Sequence, residues 1–253
     1  MANGGRQIVH HLLSLYGTGA GVPALEKAYR DNASYQIRLR NPQDKVLDQL
    51  RADYASAAPK YLGKGPQFPA FLAFFQEEID RKGWQAVITE NLFSDTKTSH
   101  DLFYRLHGGI FHPVIQLMYG IEWKQPAIIA SALAQTAVHS DEMGTLMSEA
   151  EKLSDERNPP YVPFITLVED LASQKSSEHE MLAQSVRWGD EIKIRDGVMT
   201  RARQETIEYI SKIKVREEDL EERTAEMIHA AAYMAAGVAS RPPHIPKFDF
   251  FLM

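Results

Sequence analysis

The sequence predicts an all-α, multi-helical protein. Apolar residues recur at three- and four-residue intervals through nearly every long segment, the spacing of one helix face. Prolines stand at the starts of these segments and glycines at several of their ends, where helices tolerate or favour them. No stretch alternates apolar and polar residues as a half-buried strand would, and no internal repeat is present.

The elements follow in order. Residues 8–16 form an apolar-rich helix that stops at Gly17-Thr-Gly-Ala-Gly21, and Pro23 opens a second helix through about Ala33. Asn41-Pro42 starts a helix over 45–57. Phe71, Leu72, Phe74, Phe75 and Ile79 give 68–81 an amphipathic pattern that Gly83 ends. Shorter helices cover 84–92 and 97–106. Pro113 sets His112 at or beside the N-cap of a helix running to about Gly120, with Val114, Ile115, Leu117, Met118 and Ile121 at near-helical spacing. Pro126 begins a long alanine-rich helix to about Lys152. Pro159-Pro160 breaks the chain, and helices are expected over 163–173, 178–190, 198–213 and 217–238. The chain reads as one domain, 1–253, with residues 154–160 as its best hinge. The apolar end Phe248-Asp-Phe-Phe-Leu-Met253 reads as the beginning of a core element whose continuation is missing, so the chain is expected to be truncated there.

Composition removes several classes of function. The chain has 253 residues, 44% apolar and 25% charged, with a formal charge of −6 and no strongly basic stretch, which argues against nucleic acid as the main partner. It has no cysteine, so disulfides, thiolate catalysis and cysteine-based zinc sites are excluded. That absence fits a reducing, cytoplasmic setting. No run of about 18 apolar residues predicts a membrane span, and residues 1–6 do not read as a signal peptide.

The chemistry-bearing residues are few. His107 and His112 stand at the mouth of the apolar segment that Glu122 closes, and Gln116 is a polar intruder within it. His10 and His11 are adjacent, so their side chains leave a helix about 100° apart and only one can face the core; Leu12 and Leu15 favour His11. His139 ends an alanine-rich stretch. Three histidines on three apolar helices match the way bundles build metal sites on facing helices, and imidazole suits iron, copper or zinc. The plainer reading of each is a hydrogen-bonded core histidine, for no HExxH, ExxH or CxxC spacing is present. Gly17–Gly21 follows a helix, not a strand, and reads as a helix C-cap instead of a dinucleotide loop. Ser14, Ser99 and Ser140 lack a nucleophile-elbow setting.

Several segments together resemble the questin oxidase-like family of fungal aromatic polyketide oxidoreductases. They are Val9-His-His-Leu-Leu13 with residues 17–20, Ala28-Tyr29 with Asn32, Tyr35-Gln36, Phe71-Leu-Ala-Phe-Phe75, Arg105-Leu106, Gly109 and His112-Pro113. Tyr119-Gly120 with Glu122, Gln125-Pro-Ala127, Ala130, Leu133-Ala-Gln135, His139 and the terminal Phe248–Met253 complete the set. The resemblance implies an oxidoreductase of secondary metabolism that inserts oxygen into an anthraquinone-like or related aromatic polyketide in a Baeyer–Villiger-type ring cleavage, using O2 and linked to NADPH. It also implies that a longer chain continues past Met253, and that position 116, here glutamine, would carry histidine. In the expected scheme His11, His112 and His139 hold a non-haem iron, with Glu122 and Gln116 as the catalytic polar groups. The competing expectation is a catalytically inactive helical ligand-binding or scaffold relative.

Overall fold

The computed structural model describes residues 7–33, 38–109, 111–173, 184–185, 187, 189–192, 194–234 and 236. It is all-α, and no strand occurs among the described residues. The helices group into two units, Met1–Glu142 and Met143–Met253. Within the first, α1 (Gln7–Gly17), α2 (Val22–Ala33), α3 (Asp44–Ala52), the short α4 (Tyr54–Ala57), α5 (Phe68–Lys82), α6 (Trp84–Leu92), α7 (Lys97–Leu106), α8 (His112–Glu122) and α9 (Pro126–Val138) follow one another. The second contains α10 (Gly144–Arg157), α11 (Phe164–Ser173), a π-helical stretch Ile194–Arg201, α12 (Arg203–Ile210) and α13 (Leu220–Tyr233).

Local chemistry sets most of the ends. Gly19, at φ 84°, closes α1 as the backbone N–H of Ala20 donates to Leu15 O at 2.9 Å, so the glycine-rich segment is a helix cap. Gly83, at φ 83°, closes α5. The helix expected over 45–57 is broken at Asp53, whose extended backbone ends α3 and whose carboxylate accepts the N–H of Ser56 at 3.1 Å, capping α4.

The long helix expected over 126–152 is likewise two. It ends at Val138, and His139 is extended (φ −75°, ψ 154°). Tertiary bonds replace its continuation: the N–H of Gly63 donates to Ala137 O at 2.8 Å, and the guanidinium of Arg105 donates to His139 O at 2.7 Å. The break between units falls just beyond, at Glu142/Met143, whereas residues 154–160 lie inside the second unit. There Asn158, in the left-handed region at φ 42°, ends α10 ahead of Pro159-Pro160. The helix expected over 198–213 is divided at Ala202. The expected helix over 178–190 lies largely outside the described residues, as do Tyr35-Gln36 and the terminal 248–253.

The core of the first unit is built on α9, which is buried at Ile129, Ala130 and every position from Ala132 to Val138. It packs against α5 and α8. Its alanines let these neighbours approach closely, and Phe71 and Phe75 of α5, both fully buried, fill the space. Each such side chain contributes about 1.5–3 kcal/mol by leaving water. Helices α8 and α9 form a hairpin through residues 123–125, tightened by Gln125 N–H donating to Gly120 O at 2.8 Å. Gly120 is small because a Cβ there would stand 2.7 Å from Ile129 Cγ1.

Candidate functional site

The polar residues of interest gather where α1 and the end of α9 meet α8. Phe111, in the left-handed region at φ 58°, turns the chain into α8, and Pro113 fits the first turn because it has no N–H to leave unpaired. His112 is buried, and its Nδ1 lies 2.8 Å from Gly109 O. That contact orients the ring and makes Nδ1 the protonated nitrogen. The imidazole of His139 packs on the other side of Gly109. A Cβ at residue 109 would lie 2.3 Å from His139 Cε1 and 2.7 Å from both ring nitrogens. Gly109, at φ 57°, thus touches both histidines.

From α1 it is His10, not His11, that joins this group. The His10 ring stacks on Tyr119 with centroids 5.1 Å apart, and Ser14, one turn further, meets the Tyr119 hydroxyl at 2.6 Å. Gln116, buried on α8 one turn after His112, faces His10. Burial lowers the His10 pKa; Gln116 works against this by favouring the protonated ring, and the proximity of His112 adds to the lowering. Although close, Gln116 Oε1 and His10 Nε2 each lack an aligned hydrogen-bond partner. His11 is exposed, with Nδ1 at 3.0 Å from the Asn32 amide of α2. The half-buried state of Leu12, Leu13 and Leu15 alike shows why their pattern pointed to the wrong neighbour: α1 has no single sharply apolar face.

Glu122 stands apart. It is exposed at the far end of α8, about 15 Å along the axis from His112 at 1.5 Å per residue. His107 caps α7, its Nδ1 3.0 Å from Phe103 O. The described side chains therefore do not bring His11, His112 and His139 together, and no group of three or more His, Asp or Glu side chains suited to a metal occurs among the described residues.

One residue was not singled out in the sequence. Gln135 is fully buried on α9, one turn before His139, and neither its Nε2 nor its Oε1 has a hydrogen-bond partner. An unpaired amide in such a place costs about 1–3 kcal/mol. The signal was available: Gln135 is the one amide in an alanine-rich run whose other polar residues are the small hydroxyls Ser131 and Thr136, and it is conspicuous once that run is read as buried on all sides.

Among its described residues the first unit thus holds the His10 imidazole and the Gln116 and Gln135 amides with buried polar atoms that have no hydrogen-bond partner. Comparison with known proteins specifies the class: the chain belongs to the questin oxidase-like family, whose model matches residues 7–253. It is 34% identical to a questin oxidase of Aspergillus fumigatus, over 98% of this chain and 56% of that protein. It is 35% identical to the Baeyer-Villiger monooxygenase AacuH of Aspergillus aculeatus, over 100% of this chain and 55% of the relative. The Baeyer-Villiger oxidase AgnL3 of Paecilomyces divaricatus is also 35% identical, over 99% of this chain and 54% of its own. The chain thus spans about half the length of the curated relatives it matches. Among the described residues, no helix is long and apolar enough to cross a membrane.

Proposed function

We propose that this chain takes part in oxygen insertion into an anthraquinone-like or related aromatic polyketide, with cleavage of a ring. Membership of a family whose relatives are named questin oxidase and Baeyer-Villiger oxidase supports the reaction class. The observation that carries the site is the set of buried polar atoms without partners on His10, Gln116 and Gln135. A ligand bearing carbonyl and phenolic groups is complementary to them: the Gln135 amide can both donate and accept, and the Gln116 oxygen can accept a phenol O–H. His10, held neutral by burial, can take a phenolic proton, making the ring more electron-rich towards O2. Tyr119 holds the His10 ring in place. The insertion balances as ketone, O2, NADPH and a proton giving the lactone, NADP+ and water; one water then breaks the lactone's acyl C–O bond and opens the ring to a carboxylic acid and a phenol. NADPH enters as reductant and co-substrate. An iron would need ligands beyond the side chains described, and no step of this reading passes through one.

Oxygen uptake and NADPH oxidation by the 253-residue chain with questin test the reading. Turnover should fall by about 100-fold or more in His10→Phe, the scale of losing a general base. Tight questin binding with no turnover in the parent chain would instead identify a ligand-binding relative. Turnover unaffected by His10→Phe and Gln135→Leu would remove the site from the reaction.

A further inference from the structure

A second place in the first unit has the makings of a binding site. A cavity of about 240 Å³ opens between α4, one face of α5, the end of α6 and the start of α7. Tyr54 and Phe74 stack with centroids 4.8 Å apart and form one wall. Glu78 and Lys82, one and two turns after Phe74, line the same side, and Asn91 and Thr98 stand on others. Tyr54 contributes a buried hydroxyl with no hydrogen-bond partner, although it sits in a wall otherwise rich in hydrogen-bonding groups.

The lining decides the ligand class. Glu78 is paired with Arg81 at 2.7 Å and Lys82 at 2.8 Å, and Lys82 also meets Glu90. Of these, Glu78, Lys82 and Glu90 line the cavity and Arg81 stands outside it, so each lining charge is already engaged in an ion pair and none is left free to hold an ion. An apolar occupant would take water from Thr98 and the ion pair, whereas the Asn91 amide already donates one N–H to Val87 O at 2.8 Å and has a second to offer. The volume is roughly eight times the ~30 Å³ that one water occupies in the liquid. We propose that this cavity binds a neutral, polyhydroxylated molecule of monosaccharide size, with one C–H face on the Tyr54–Phe74 wall and its hydroxyls shared among Tyr54, Glu78, Lys82 and Asn91. Burial, reinforced by the charge of Asp101, keeps the Tyr54 phenol protonated and able to donate at any physiological pH.

Saturation-transfer NMR on the 253-residue chain, with D-glucose and myo-inositol as probes, tests the site. Transfer to the C–H protons of at least one polyol is expected, with binding roughly tenfold weaker in Tyr54→Phe, the loss of one hydrogen bond. The melting temperature of Tyr54→Phe should stay level or rise, because only an unpaired hydroxyl is removed. Thr98→Val provides a second variant at the opposite side, again expected to weaken binding. No transfer from either polyol would mean that the cavity holds water only and would overturn the proposal. So would transfer unchanged in both variants, or binding of catechol with the same dependence on Tyr54 in the absence of polyol binding.

Discussion

Helix α9 in the first unit and helix α13 in the second have 13 and 14 residues, and both are rich in alanine. Helix α9 is buried at nine positions, whereas α13 buries only Arg223 and Ala230 and leaves Leu220, Met227 and Ile228 each more than half exposed. The difference lies in the charges. Helix α9 contains none, so neighbours can surround it; α13 opens with the exposed Glu221 and Glu222, whose solvation keeps that end in water, and its buried Arg223 is tied to Glu226 at 2.9 Å and to Val162 O at 2.7 Å. The same contrast runs through the units. The first has a continuous core from Val46 to Val138. The described core cluster of the second is Leu146, Ala150 and Ile207, with Met143, Leu153 and Met199 packed against it. Its helices are also tied by polar contacts such as Arg157–Glu208 at 2.6 Å and Ser154 Oγ donating to Ile213 O at 2.8 Å.

This contrast can be broken by substitution. Phe71→Ala should produce the largest effect, a loss of about 3–5 kcal/mol measured by denaturant unfolding, because Phe71 is fully enclosed. Ile129→Val in the same core and Ile207→Val in the smaller one delete the same methylene and should each cost about 0.5–1.5 kcal/mol, the former more; an equal loss at these two sites would refute the difference in packing. Gln135→Leu should act in the opposite direction, stabilising the first unit by about 1–3 kcal/mol. A destabilised Gln135→Leu protein would show that the amide has a structural partner.

A pH titration of stability sharpens the description of α1. The folded His10 pKa lies below the ordinary 6.5, so between the two values the unfolded chain binds more protons than the folded one. Stability contributed by neutral His10 is present above pH 6.5 and declines as pH falls through that value towards the folded pKa. His10→Phe should flatten this slope. The smallest effect belongs to the polar ties of the second unit: Lys214→Ala, which removes a 2.6 Å pair with the exposed Asp155, should change stability by less than about 1 kcal/mol.

Much of the fold was legible because its punctuation is local. Pro113 and Pro126 mark helix starts, and Gly83 marks an end, whatever the rest of the chain does. The break at Asp53 was readable too, since an aspartate three residues before Ser56 is a capping pattern. The end of α9 was not: neither glycine nor proline marks it, and its carbonyls are claimed by Gly63 and Arg105 from distant parts of the sequence. The candidate site was half legible. His112 at a helix mouth followed from Pro113, whereas the choice between His10 and His11 depended on the neighbours of a helix whose apolar pattern favours no single face.

The fit of the His139 ring against Gly109 constrains how this pair of positions can evolve. Any side chain at residue 109 meets a backbone penalty of about 1–2 kcal/mol for its left-handed conformation. It also collides with the imidazole. Shrinking residue 139 removes the second obstacle but not the first. A lineage that enlarges position 109 must therefore move the imidazole aside or surrender it, and recovering the present fit of His139 afterwards would require restoring glycine first. The path is a ratchet, and a Gly109→Ala, His139→Ala double-mutant cycle should register it as a double variant less damaged than the sum of its parts.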